Sequence, residues 1–133
     1  MEKVIYNKAK QRPKFINLLK IRMPITAVVS ILHRISGLIL FLVLPLIIYG
    51  LGLSLQGRDG FEQAILISKS TPVQLLIIFT VVSVIYHLLA GIRFLLIDID
   101  IGLNIVAARW TAIIVILITV ISMVLLVIGV TGL

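Results

Sequence analysis

The chain has 133 residues, 61% of them hydrophobic and 13% charged, with twelve Lys and Arg against five Asp and Glu. Soluble domains are about half apolar and about a quarter charged, so this composition excludes an ordinary water-soluble core. The absence of cysteine excludes a disulfide, a thiolate nucleophile and a cysteine-ligated iron–sulfur cluster on this chain.

Residues 1–34 carry Lys3, Lys8, Lys10, Arg12, Lys14, Lys20, Arg22 and Arg34 against Glu2 alone, which accounts for the whole formal charge of +7. Further on, Arg58 and Lys69 balance Asp59 and Glu62, and Arg93 and Arg109 balance Asp98 and Asp100. In a membrane chain such a Lys/Arg bias places the N-terminus in the cytoplasm. A basic tail also suits nucleic acid, but the topology rule already accounts for this one, and no nucleic-acid partner is expected. Residues 8–22 interleave Phe15, Ile16, Leu18, Leu19 and Ile21 with basic residues. That pattern suits a segment lying at the membrane surface or against a soluble partner. The first apolar stretch is too long for the core of a cleavable signal, so it is expected to be retained.

Arg22-Met23-Pro24 marks a helix start, with Pro24 at the first helical position. Continued to Leu55, that helix is about 48 Å long. It would cross a hydrocarbon core of about 30 Å and leave its first turns at the cytoplasmic interface. Pro45 lies inside it and is expected to kink it. Residues 56–60 read as a turn and 61–69 as a short surface helix, after which Ser70-Thr71-Pro72 opens the second span. Residues 98–109 form the cytoplasmic connection, and Trp110 anchors the third span at the interface. The uncharged stretches 35–57, 70–92 and 110–133 each exceed the roughly 20 residues that a spanning helix needs. The expected fold is all-α, a single membrane-anchor domain over residues 1–133. It has a cytoplasmic basic segment at 1–23 and three transmembrane helices at about 30–55, 72–97 and 109–131.

Both histidines of the chain sit in polar clusters at or inside these spans. An ionisable side chain costs at least a few kcal/mol in hydrocarbon, so such residues usually face a cofactor, a cavity or a partner. Ser30, His33, Arg34 and Gly37 are spaced i, i+3, i+4 and i+7 and share one helix face. Thr80, Ser83, His87, Ala90 and Gly91 do the same on the second span, and small residues there permit close approach of a helix or a flat ligand. Arg93 stands about 9 Å beyond His87 along the axis. A neutral imidazole with cations above it suits a haem, the imidazole on iron and the cations at the propionates. Plainer readings fit the same spacing: an interhelical histidine hydrogen bond, snorkelling of His33 and Arg34, and helix packing by the Gly and Ser positions. Periodicity alone leaves these open.

Three stretches together resemble the first signature of the cytochrome b556 subunits of succinate dehydrogenase: Arg12-Pro13, Arg22-Met23-Pro24-Ile25-Thr26-Ala27 and Ser30-Ile31-Leu32-His33-Arg34-Ile35-Ser36-Gly37. Tyr86-His87-Leu88-Leu89-Ala90-Gly91-Ile92-Arg93-Phe94, followed by Asp98, resembles the second signature. Gly60-Phe61-Glu62-Gln63-Ala64 is similar to a loop of the proteobacterial members. The resemblance covers nearly the whole chain, with Lys14, Ile97 and Asp100 departing from the pattern; a small residue is usual where Asp100 stands.

The resemblance implies a multi-pass protein of the bacterial inner membrane, embedded in lipid. Its implied partners are a second membrane-anchor subunit, an iron–sulfur subunit and a flavoprotein subunit. It implies one haem b, with His87 as the axial ligand to its iron and a histidine of the companion anchor on the other side. His33 and Arg34 match positions near the haem propionates. Ser30 and Arg34 match residues lining the ubiquinone pocket, with Asp98 a further candidate there. Electrons from succinate would pass through FAD and iron–sulfur clusters on the soluble subunits to ubiquinone, the substrate of the membrane pair, linking the tricarboxylic acid cycle to the respiratory chain. This chain would not act on succinate itself and would hold neither FAD nor an iron–sulfur cluster. A quinol-oxidising fumarate reductase anchor and a purely structural anchor without cofactor are the alternatives. A transporter fits less well, because the polar residues gather at one side of the membrane instead of along its depth.

Overall fold

The computed structural model describes residues 23–131, and every regular element among them is helical. The basic segment 8–22, with its expected docking role, lies outside the described residues.

The first helix, α1 (Ile25–Ser54), follows Pro24. Pro24 takes the capping position itself, one residue before the place the sequence suggests, with an extended ψ of 150°. Its carbonyl accepts from the Ala27 and Val28 amides at 2.9 and 3.2 Å, which starts the helical ladder. The helix runs uninterrupted through Pro45, although proline offers no amide to the carbonyl of Phe41 one turn earlier.

Gly57 then adopts φ +90°, a conformation open to glycine but costly for other residues, and the chain enters α2 (Arg58–Ser68) at once. Residues 58–60, expected in a turn, are therefore helical. Asp59 in the first turn complements the positive end of the helix dipole. Gly60 is buried against α1, where a Cβ would come within 2.5 Å of the Leu53 carbonyl oxygen. Arg58 Nε donates to Glu62 Oε1 at 3.0 Å, an exposed pair that adds little stability.

The second long helix, α3 (Thr71–Asp98), carries Pro72 in its first turn, where the missing amide leaves no gap in the ladder. Beyond its end Asp100 has φ +65°. Aspartate enters that left-handed region more readily than most residues with a side chain, so the turn tolerates it there. The last helix, α4 (Ile105–Thr131), begins one turn earlier than the expected 109. Asn104 is the cause: its Oδ1 accepts the Ala107 amide at 2.6 Å and caps the helix.

Helices α1, α3 and α4 are each long and apolar enough to cross a membrane. They pack pairwise into a three-helix bundle, with α2 lying across α1 and α3 at the end away from Ile25 and Asp98. The shared seam is narrow and holds Val29, Tyr86, Ala90, Ala112 and Val115. Hydrocarbon supplies no hydrophobic force between helices, so close approach through small residues has to do that work. Ala90 and Ala112 are both fully buried, consistent with this. Most large apolar side chains face outwards, Phe41 at 71% exposure among them. Such a surface suits lipid or partner helices and would not be stable in water.

Candidate functional site

The site forms where the first turns of α1 meet the last turns of α3. Tyr86, buried in the seam, donates its hydroxyl hydrogen bond to the Val29 carbonyl at 2.8 Å and locks the two helices in register. His87 is the next residue, and its ring lies parallel to that of His33 on α1. Their centroids are 4.1 Å apart and the planes differ by 13°. Phe94, two turns further along α3, closes on His33 with centroids 5.3 Å apart.

Two glycines make room for this pair. A Cβ at Gly37 would stand 3.1 Å from Cε1 of His87, and a Cβ at Gly91 would stand 3.4 Å from Nε2 of His33. Each histidine thus rests beside a glycine of the opposite helix.

The proton position on His87 follows from its neighbours. Its Nδ1 lies 3.2 Å from the His33 carbonyl and 3.0 Å from the Ser36 hydroxyl oxygen. The Ser36 hydroxyl donates to that same carbonyl at 2.8 Å. A carbonyl oxygen only accepts, and the serine proton is already directed to it, so Nδ1 carries the hydrogen. The lone pair of a neutral His87 is then on Nε2. That is the state a metal-binding imidazole takes when its other nitrogen donates to a backbone oxygen.

The other sequence-derived positions lie around this pair with less contact. Ser30, one turn before Arg34, is half-buried; Arg34 is exposed, as is Asp98 at the end of α3. All three sit at the histidine end of the bundle. The structure does not join Arg34 to Asp98; among the described residues the ion pair is Arg58 with Glu62. Arg93 departs from expectation. It turns towards α4, where Nε donates to Thr111 Oγ1 and Nη2 to the Ala108 carbonyl, each at 3.1 Å. With 6% exposure it is an interhelical tie, not a free cation beside the imidazole. Thr80 and Ser83 lie on the buried face as expected, their hydroxyls donating to Leu76 and Phe79 in their own helix.

Sequence reasoning gave no individual role to Ser36 and Tyr86, although both lie in the quoted signatures, and did not single out Thr111. Ser36 stands three residues after His33, on the same face, a spacing that could have marked it. Tyr86 and Thr111 gave no such signal, because their partners lie on other helices.

A cleft of about 610 Å³ opens at the opposite end, between α1, α2 and α3, with Leu46, Leu53, Ile67 and Leu76 among its walls. Its Ser68 and Thr80 hydroxyls donate to Ile65 and Leu76, and its one titratable side chain is Tyr49. It offers apolar volume and little chemistry. The reactive groups are at the histidine end.

Comparison with known proteins matches residues 8–126 to the family described as succinate dehydrogenase/fumarate reductase transmembrane subunit. The succinate dehydrogenase cytochrome b556 subunit of Coxiella burnetii (strain RSA 493 / Nine Mile phase I) is 32% identical over 116 residues, covering 86% of this chain and 93% of the relative. The family match includes α1, α2 and α3 whole and most of α4, and so takes in the site just described. With three helices long and apolar enough to cross a membrane and a family match over most of its length, the chain belongs to the transmembrane subunits of the succinate dehydrogenase/fumarate reductase family.

Proposed function

We propose that this membrane subunit binds haem b through His87 and helps form a ubiquinone-reducing site, passing electrons from succinate to ubiquinone. The observation that carries this reading is the stacked His33–His87 pair seated on Gly37 and Gly91. The residues fit a haem: an imidazole with its lone pair on Nε2, a half-buried second histidine, and an exposed arginine one residue after it. In this reading His87 would hold the iron together with a histidine of a companion anchor subunit, and His33 and Arg34 would hold the propionates. When bound, the haem supplies a one-electron store beside the quinone pocket.

Ser30 and Arg34 would line that pocket. The serine hydroxyl donates to a quinone carbonyl, and the guanidinium stabilises the negative charge that develops on the oxygen as it is reduced. A low-dielectric setting strengthens this interaction. Asp98, exposed at the same end, would relay protons from water. The Lys/Arg bias orients this end towards the cytoplasm of a bacterial inner membrane. Protons and the iron–sulfur and flavoprotein subunits are available on that side. Similarity to a succinate dehydrogenase subunit of Coxiella favours succinate oxidation over fumarate reduction.

Variants of the assembled complex test the reading. His87→Ala should abolish the haem absorption while leaving the chain in the membrane. Ser30→Ala and Arg34→Ala should each lower ubiquinone reduction by about 10²–10³, the usual effect of losing a donor aimed at developing charge. Succinate oxidation by a dye that draws electrons from the soluble subunits should persist. A joint loss of both activities would mean an assembly role, and a loss of neither would move the pocket elsewhere.

A further inference from the structure

Ser36 is 5% exposed in the seam between α1 and α3. Its proton goes to the His33 carbonyl at 2.8 Å, which leaves the oxygen's lone pairs facing Nδ1 of His87 at 3.0 Å. The other acceptor at that nitrogen, the His33 carbonyl, is more distant at 3.2 Å and already receives the serine proton. The hydroxyl oxygen is therefore the nearer and less occupied acceptor for the imidazole N–H.

We infer that Ser36 is a positioning residue for the haem ligand: its oxygen accepts the Nδ1–H of His87, holds the ring with Nε2 towards the iron, and strengthens Nε2 as a donor. This rests on His87 being the iron ligand. An N–H that donates to an acceptor pushes electron density into the imidazole and raises its basicity at the other nitrogen. A stronger axial donor favours the oxidised iron and so lowers the haem potential. Gly37 adds the steric half of the arrangement, because the ring edge at Cε1 passes where a Cβ would stand. The hydroxyl holds one side of the ring and the glycine admits the other.

A redox titration of the haem absorption in the purified complex tests this, comparing the unaltered chain with Ser36→Ala, Ser36→Thr and His87→Ala. Loss of a partner that orients a metal ligand typically weakens metal binding about 10–100-fold. Ser36→Ala should therefore lower haem occupancy at limiting haem and shift the midpoint potential of the remaining haem upwards. Ser36→Thr keeps the oxygen and should restore both. If Ser36→Ala retains the unaltered potential while His87→Ala loses the haem, the axial-ligand reading survives and the role of Ser36 is overturned. If Ser36→Ala loses the haem outright, Ser36→Thr decides: recovery at the unaltered potential supports the hydroxyl, and loss in both variants reduces Ser36 to packing. A normal spectrum in His87→Ala removes the ligand assignment and this inference with it.

Discussion

Space beside each histidine is as decisive as the histidine itself. At Gly37 a methyl group would meet His87 Cε1 at 3.1 Å, so the ring would have to give by a few tenths of an ångström. Gly37→Ala should turn the ring off its preferred rotamer at a cost of about 0.5–1.5 kcal/mol. Gly37→Val should cost about 1–3 kcal/mol through overpacking. The ratio of haem to protein should fall in that order, and equal haem content in both variants would show that the ring is not confined there. Tyr86 offers a contrasting case one residue from His87. Tyr86→Phe removes the hydrogen bond to Val29 but leaves the ring volume, so thermal stability should drop by about 0.5–1.5 kcal/mol with the haem spectrum unchanged.

The helices hold together through few polar ties, because most of their surface cannot distinguish a neighbouring helix from lipid. Arg93 is the strongest of these, linking α3 to Thr111 and Ala108 of α4. Thr111 also donates to the Ala107 carbonyl within its own helix, so it keeps a partner if the arginine is lost. Hydrogen bonds from a charged group are worth about 1.5–3 kcal/mol, which sets the scale for Arg93→Leu. That variant should lower the melting temperature of the detergent-solubilised complex and leave the haem potential unmoved. A shifted potential would instead place the guanidinium at the propionates.

Three apolar helices with a thin common seam do not make a self-contained molecule. Phe41, Leu55 and Ile105 stand 71%, 75% and 71% exposed, and apolar residues surround all three spans. The bundle therefore needs lipid or companion helices on most of its circumference. Docking of the soluble subunits proposed above would need a different surface, and the basic, apolar-interleaved segment 8–22 is the candidate in the sequence. Deleting residues 8–20 should release succinate-oxidising activity from membranes into the soluble fraction. Full retention on the membrane would assign docking to another part of the complex.

The sequence by itself determined the number of candidate spans, because a hydrocarbon core of about 30 Å demands uncharged helices of a certain length whatever they pack against. It also singled out His33 and His87 and their small-residue faces, since helical spacing is a local property. Caps were legible to within a turn; Asn104 and Gly57 moved two boundaries through single residues. Only the tertiary structure decided which side chains meet across helices. It stacked His33 on His87, brought Nδ1 of His87 against the Ser36 hydroxyl and the His33 carbonyl, and turned Arg93 away towards Thr111. Those outcomes depend on how three packed helices rotate against one another. In lipid that rotation is set by close contacts at Ala90, Ala112, Gly37 and Gly91, not by a hydrophobic stripe that a sequence pattern would display.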